Sequence, residues 1–253
     1  MLLELQKAGM WKRISAALFD LILLGIAIVG AAFLLSALTG YDAYGQKVTD
    51  SYAYYEQMYG VNFELTQEQF DALSAEERTR YNEAYQALCE DSEAMYAYNM
   101  LVNLTLLISS ISILAGYLIT EFAVPLLLGS GQTLGKKIFG IALVRTDLIR
   151  VTGPLLFIRT ILGKYTFETM VPVLICIMIY FNMAGPIAVL VLGAIPLLQI
   201  ILLIATRTNS TIHDLLAKTV VVDYASQRIF EDEQALVEYK KKLHAERVAR
   251  QGY

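Results

Sequence analysis

The chain has 253 residues, of which 56% are hydrophobic and only 17% are charged, and its mean hydropathy is +0.50. Average globular domains carry roughly 25% charged residues, so this composition excludes an ordinary soluble protein as well as a disordered chain. A net charge of −4 and a pI near 5.3 exclude general nucleic-acid binding, and two cysteines are too few for a disulfide framework or a thiolate zinc site.

The first predicted element is a membrane helix over residues 14–38, with Asp20 as its one charge. A spanning helix needs about 20 apolar residues to cross roughly 30 Å of hydrocarbon. The apolar region of a signal peptide is typically 7–15 residues long, so this longer stretch with an internal acid predicts a retained anchor. Residues 1–38 are therefore expected to be an N-terminal segment followed by the first transmembrane helix.

Residues 39–98 form an acidic, tyrosine-rich insertion. It holds twelve acids and three bases, for a net charge of −9, which leaves +5 for the rest of the chain, and it contains ten of the sixteen tyrosines. Two capping-box patterns predict two helices in its second part: Thr66 with Gln69 and Ser74 with Glu77. The insertion is either a small cap on the outer leaflet or a recognition surface, since tyrosine suits both.

Three further apolar stretches follow. Residues 99–128 contain one charge, Glu121, and predict the second transmembrane helix. Residues 165–206 predict a hairpin of two more helices with a tight turn at Gly185 and Pro186. The third stretch, 165–184, carries Glu168 and Pro172 and has a short uncharged part, so a re-entrant segment is its alternative.

Charge asymmetry predicts the orientation of these helices. Bases accumulate before the first span, in the connection 129–164 and after residue 206, and Lys and Arg collect on the cytoplasmic side of membrane proteins. With an even number of spans we expect both termini in the cytoplasm, residues 39–98 outside, and a multi-pass location in the cell membrane.

The connection 129–164 contains GQTLGKK, whose glycines and lysines are similar to those of a phosphate-binding loop. That loop requires Gly, four residues and then Gly-Lys-Ser/Thr, but Ser130 stands at the first glycine position and Lys137 at the hydroxyl position. The P-loop is therefore rejected, and Lys136 and Lys137 are predicted to meet lipid phosphates. Residues 154–163 predict an interfacial amphipathic helix with Arg159 near its polar edge.

Ionisable residues in or beside the spans are costly and usually face the protein interior. Three acids and three bases are predicted at one level of the inner half of the bilayer: Asp20, Glu121, Glu168, Arg13, Arg159 and His213. Two hypotheses remain open: the carboxylates form a cation or proton site tuned by the arginines, or acids and bases neutralise each other and lock helix packing.

The segment 207–253 has two features. Thr211 and Asp214 form a capping pattern for a short helix before the strand-like VVVD, while His213 beside Asp214 is alternatively a pH-sensitive pair. The charged tail repeats an apolar residue every seven positions, at Ile229, Leu236 and Leu243. This spacing predicts a helix that docks on its own protein or, alternatively, on a partner.

Four motifs in order carry a resemblance: GMWKRISAALFDLILL, GQTLGKKIFGIALVRTD, FIRTILGK and TIHDLLAKTVVVD. Together they resemble the RDD family of bacterial membrane proteins, whose named arginine and two aspartates match Arg13, Asp20 and Asp214. The resemblance covers residues 9–38 and 100–223 and implies a transport role, because some members are described as cation/proton antiporters. The family's usual Asp-Gly turn is replaced here by Asp147-Leu148.

We therefore expect an all-α integral membrane protein with about four transmembrane helices, a small helical extracytoplasmic insertion and a cytoplasmic C-terminal helix. The candidate functional residues are Arg13, Asp20, Glu121, Arg159, His213 and Asp214. We expect no enzymatic activity, no cofactor, no metal and no nucleic-acid partner; the expected partners are the lipid bilayer, monovalent cations or protons, and a second copy in a homodimer. The alternative function is a non-catalytic adaptor or regulator that binds an unidentified protein through residues 39–98 or the C-terminal helix.

Overall fold

The computed structural model describes residues 5–180 and 183–251, without the side chains of residues 250 and 251. Within this range the chain forms two compact units, the first from residues 5–28 and 113–251 and the second from residues 29–112. The fold is predominantly helical with one pair of short strands, so the predicted all-α membrane class is confirmed.

In chain order the α-helices are α1 (Met10–Thr39), α2 (Tyr41–Tyr59), α3 (Gln67–Asp71), α4 (Ala75–Glu90), α5 (Ser92–Tyr117), α6 (Val124–Leu128), α7 (Leu134–Ile138), α8 (Gly153–Phe157), α9 (Val171–Tyr180), α10 (Pro186–Ala205), α11 (Ile212–Leu216) and α12 (Glu233–Gln251). Four continuous helices in the described residues are long and apolar enough to cross a membrane, as predicted. They are Met10–Thr39, Ser92–Leu128, Gly153–Tyr180 and Pro186–Ala205.

The third membrane helix begins at Gly153 rather than at residue 165. Residues 154–163 are helical, as predicted, but they continue without a break into the third membrane helix instead of forming a separate one. Their position at the membrane interface stays a prediction. Hydropathy misplaces this start because Arg159 and Lys164 are charged, whereas the fold pairs each with an acid. The predicted stretch 165–184 also includes residues 181 and 182, which lie outside the described residues.

Two of the membrane helices contain π-helical segments, Leu118–Ala123 in the second and Ile158–Met170 in the third. Such wide turns are rare and often occur at functional sites. The Thr160 hydroxyl donates to the carbonyl of Glu121 at 3.1 Å and joins the two segments. Four charged side chains lie on them: Glu121, Arg159, Lys164 and Glu168.

A two-stranded antiparallel sheet orders the connections of the first unit. β1 (Ile141–Arg145) pairs with β2 (Thr219–Asp223), and the β-branched valines of both strands are buried. The strand-like character of VVVD is confirmed, whereas β1 was not predicted. Each strand closely follows a short helix, α7 or α11, so the pairing fixes both helices in place.

The predicted C-terminal helix, α12, packs against other residues of the first unit. Leu148, Ile149, Phe230 and Leu236 form one buried cluster, with Leu236 on α12. Leu148 occupies the position of the family's usual glycine and has a left-handed φ of 73°, which is strained for a non-glycine residue. Burial of its side chain in this cluster offsets that strain.

The second unit contains α2, α3, α4 and the first part of α5. Both predicted capping boxes are present at the starts of α3 and α4. The tyrosine-rich α2 was not predicted, because none of its residues is fully buried and no apolar period marks it. Phe63 sits among tyrosine rings in edge-on contacts, with centroid distances of 5.5 Å to Tyr52 and 5.5 Å to Tyr81.

Candidate functional site

A cavity of about 350 Å³ lies within the first unit. Part of its wall is apolar and includes Leu21 and Leu24 from α1 and Leu203 from α10. The charged side chains of its wall, together with His213, are Arg13, Asp20, Glu121, Lys136, Arg159, Lys164, Glu168 and Asp214. All six candidate residues from the sequence therefore line one cavity, which we call the charged cavity.

Asp214 on α11 binds two arginines. Nε and Nη2 of Arg159 both donate to its Oδ1, at 3.1 and 2.8 Å, and Nη2 of Arg13 lies 3.8 Å from its Oδ2. Burial raises the pKa of Asp214, but the nearby positive charge, above all that of Arg159, and the hydrogen bonds from Arg159 and Thr211 together outweigh it and hold this pKa well below its usual range. The predicted capping box with Thr211 is present as well. The Asp214 carboxylate therefore caps the start of α11 and also neutralises Arg159 on the third membrane helix.

Asp20 on α1 is held by the loop that begins α7. Its Oδ1 accepts the backbone N–H of Gly135 at 2.8 Å, and its Oδ2 accepts the hydroxyl of Thr133. A Cβ on Gly135 would collide with the carbonyl oxygen of Ala16, so only glycine lets the loop approach α1 this closely. The GQTLGKK motif thus clamps a membrane carboxylate, a role for Thr133 that the sequence did not reveal.

Lys136 follows this clamp and points into the protein. It is only 7% exposed, so the prediction that it meets lipid phosphates is wrong, while Lys137 is exposed. Its Nζ lies 3.9 Å from Oδ2 of Asp20 and 4.0 Å from Oε2 of Glu121, and it donates one long hydrogen bond of 3.2 Å to Thr133. Burial lowers the pKa of Lys136 to about 8, although Glu121 raises it in part.

Glu121 is shared between two lysines. Its Oε1 lies 2.6 Å from Nζ of Lys164 on the third membrane helix. Its Oε2 is buried and has no hydrogen-bond partner among the described residues. Because buried polar atoms are normally paired, this oxygen is the least satisfied atom on the cavity wall.

Glu168 and His213 form a second pair. Nδ1 of His213 lies 2.8 Å from both carboxylate oxygens of Glu168, and the His213 backbone N–H donates to Oε1 at 3.1 Å. The other ring nitrogen contacts the Thr211 hydroxyl at 2.9 Å. Burial, together with the charge of Arg159, lowers the pKa of His213, so a neutral ring donates to the carboxylate.

The charges on the cavity wall balance. Four acids face four bases when His213 is neutral, and α1 and the third membrane helix each contribute both kinds. Unpaired buried charges are very costly, so this balance makes the cluster compatible with a membrane protein. Among the described residues, no group of three or more His, Cys, Asp or Glu side chains is placed to hold a metal ion.

Sequence reasoning missed Lys136 and Lys164 as members of this cluster. A signal was present, because acids within apolar stretches require bases at the same depth. Lys136 was instead predicted to meet lipid phosphates, and the pairing of Lys164 with Glu121 was hidden by the misplaced start of the third helix.

A family model described as RDD family matches residues 7–218. No match was found among curated proteins or among solved structures. The matched range covers most of the chain, all four membrane helices and every ionisable residue of the charged cavity. The chain, a multi-pass membrane protein, therefore belongs to the RDD family.

Proposed function

We propose that the protein exchanges monovalent cations for protons across the membrane through the charged cavity. The observation that carries this proposal is the open space of about 350 Å³ among eight charged side chains. Charges that only lock helices together gain most when they pack without space between them, because attraction weakens with distance and with access of water. A cavity at this place instead admits water and small ions to the carboxylates.

The balance of charges supports exchange rather than a simple channel. A cation that enters a cluster with four acids and four bases leaves an excess positive charge, which is costly at this depth. Release of a proton restores the balance, so entry of the cation and loss of the proton are linked. The charge asymmetry of the sequence favours a cavity that opens toward the cytoplasm.

Proteoliposomes test the proposal directly. A sodium or potassium gradient is applied to vesicles that contain the wild-type protein, and proton movement is followed with a pH-sensitive dye. We expect cation-driven proton flux in the wild type and at least a tenfold smaller flux in Glu121→Gln, because this variant removes the negative charge of the carboxylate that carries the unpartnered oxygen. Glu93→Gln on the same helix is the matched control, since Glu93 is exposed and lies far from the cavity in the sequence. Absence of flux from folded wild-type protein with both cations, between pH 6 and 9, would refute the proposal.

A further inference from the structure

We propose that a phospholipid with a net negative charge binds at one end of the charged cavity, with its phosphate on Arg13 and one acyl chain along the apolar wall that α1 and α10 form. We call this end, lined by Met10, Arg13 and Ile14, the cavity mouth. The inference goes beyond the exchange proposed above and does not depend on it.

The first support is that the guanidinium of Arg13 has unpaired donors. A guanidinium carries five N–H donors. Among the described residues, the polar partner of the Arg13 side chain is Asp214, and Nη2 lies 3.8 Å from its Oδ2, beyond hydrogen-bond distance. Unlike Oε2 of Glu121, no Arg13 nitrogen is both enclosed and unpaired, so these donors are open to a ligand in the cavity.

The second support is that the oxygens of Asp214 are already occupied. Its Oδ1 accepts two N–H groups of Arg159, and its Oδ2 accepts the backbone N–H and the hydroxyl of Thr211. Arg13 is therefore attracted by the charge of this carboxylate but does not share its hydrogen bonds. An anion from outside the protein would supply the acceptors that Arg13 lacks.

The third support is the local charge. Arg13 and Arg159 share one acid, Asp214, so the arginines leave one positive charge in excess beside the cavity mouth. Glu168 balances the cavity as a whole, but among the described residues it is bound by His213 and by neither arginine.

A phosphodiester monoanion suits this excess charge. It neutralises one positive charge, and the planar guanidinium matches the spacing of two phosphate oxygens. A zwitterionic lipid offers the same phosphate together with a cationic group, which the excess positive charge repels. The cavity mouth should therefore prefer a lipid with a net negative charge.

The apolar wall beside Arg13 continues to the surface of the protein. Apolar residues three or four positions apart place one face of α1 on the cavity: Met10, Ile14, Ala17, Leu21 and Leu24. Leu21 lines the cavity and is also 61% exposed, and exposed apolar side chains of a spanning helix face hydrocarbon. The cavity therefore opens sideways to lipid along α1, and Leu203 on α10 extends this apolar wall.

The depth of Arg13 suits a lipid phosphate. Arg13 lies three residues after Met10, the first residue of α1, which is about 4.5 Å along the helix axis. Trp11, the single tryptophan, is 82% exposed at this level, and tryptophan is enriched at the level of lipid headgroups. From Arg13 to Leu24 the helix then extends about 16 Å into the hydrocarbon, alongside an acyl chain.

The test uses the full-length protein in detergent and native mass spectrometry, which counts the lipids that stay on the folded protein. Dioleoyl-phosphatidylglycerol and dioleoyl-phosphatidylcholine are added in equal amounts, because they share both chains and the phosphate but differ in net charge. For the wild type we expect one retained phosphatidylglycerol and a preference of at least about fivefold over phosphatidylcholine.

Three variants of α1 separate the phosphate contact from the apolar wall. Arg13→Gln removes the charge, so we expect phosphatidylglycerol binding to fall at least about tenfold and the preference to disappear. Arg13→Lys keeps the charge without the planar fork, so we expect a smaller loss of about two- to fivefold. Ala17→Phe keeps every charge but fills the space beside the apolar wall, so we expect at least about a fivefold loss.

Two matched controls lie on the same helix. Lys12 is an exposed base that pairs with Asp223, and Ala37 is an exposed alanine; neither lines the cavity. Lys12→Gln and Ala37→Phe should therefore bind phosphatidylglycerol as the wild type does. Gel filtration and thermal unfolding check that each variant is folded, and Arg13→Lys with Ala17→Phe carries the test if Arg13→Gln is not.

Equal retention of the two lipids by the wild type, or wild-type binding by folded Arg13→Gln, would overturn the inference. Titration with inorganic phosphate distinguishes a lipid from a soluble anion. Phosphate binding that depends on Arg13 but is unchanged in Ala17→Phe, without retention of phosphatidylglycerol, would assign the cavity mouth to a soluble anion and refute the lipid. Lipid retention is measured without an ion gradient, so its outcome and that of the proteoliposome flux assay are independent.

Discussion

The buried pair of Arg159 and Asp214 offers the sharpest test of the site's energetics. The residues are 2% and 1% exposed, and Nη2 of Arg159 lies 2.8 Å from Oδ1 of Asp214. Removal of one partner of a buried pair costs about 3–5 kcal/mol, because the other charge is left uncompensated. Asp214→Asn keeps an oxygen to accept the backbone N–H of Thr211, so its effect reports mainly the lost charge.

The expected loss corresponds to a fall in Tm of about 6–20 °C, at roughly 2–4 °C per kcal/mol for a chain of this size. Thermal unfolding in one detergent at pH 7.5 measures it. In the double variant Arg159→Met/Asp214→Asn we expect the penalty to be about 2–3 kcal/mol smaller than the sum of the single losses, because the stranded charge is gone.

An exposed pair in the same chain supplies the control. Nζ of Lys12 lies 2.6 Å from Oδ2 of Asp223, but the Lys12 side chain is 51% exposed. Asp223→Asn should therefore cost less than about 1 kcal/mol. If Asp214→Asn costs no more than Asp223→Asn, or if the losses at 159 and 214 simply add, the two buried residues do not compensate each other.

Two further predictions concern close packing and pH. Gly135→Ala should destabilise the protein by about 1–3 kcal/mol in thermal unfolding, because its Cβ would collide with the Ala16 carbonyl. Gly193→Ala is the control and should be neutral or slightly stabilising, because its Cβ would meet nothing within 4 Å. Equal Tm values for the two variants would contradict this prediction. Burial lowers the pKa of His213, so protonation favours the unfolded state and stability is lost as pH falls below about 6.5. Between pH 7.5 and 5 the Tm of wild type should fall more than that of His213→Gln, whereas exposed His244→Gln should follow wild type.

Much of the fold could be predicted, because membrane helices are specified locally. An apolar stretch of about 20 residues is by itself enough to predict a membrane helix. Three of the four helices were placed in this way. The first unit's sheet could not be predicted in full, because β1 is five residues long and gains its stability from β2, far away in the sequence. The tyrosine-rich α2 lacks a buried face and therefore lacks a period to detect.

The sequence predicted most of the residues that line the charged cavity, but it did not predict which of them form ion pairs with each other. Asp20, Glu121 and Glu168 stand out because acids in apolar stretches are rare. Which base pairs with which acid depends on contacts between residues about 15 to 200 positions apart, and no local rule supplies them. Arg13 and Asp20 lie on the same helix, seven positions apart, but the fold places Arg13 beside Asp214 and binds Asp20 to the loop before α7.

The connections that contain α7 and α11 contribute opposite charges to the charged cavity. The α7 loop brings a base, Lys136, to the acids of the first and second membrane helices, and α11 brings an acid, Asp214, to Arg159 on the third. Each connection is short and is fixed by one strand of the same sheet, so β1 and β2 hold both charges in place. Loss of either connection would strand charges on membrane helices at a cost of several kcal/mol. The segments outside the spans therefore complete the membrane site.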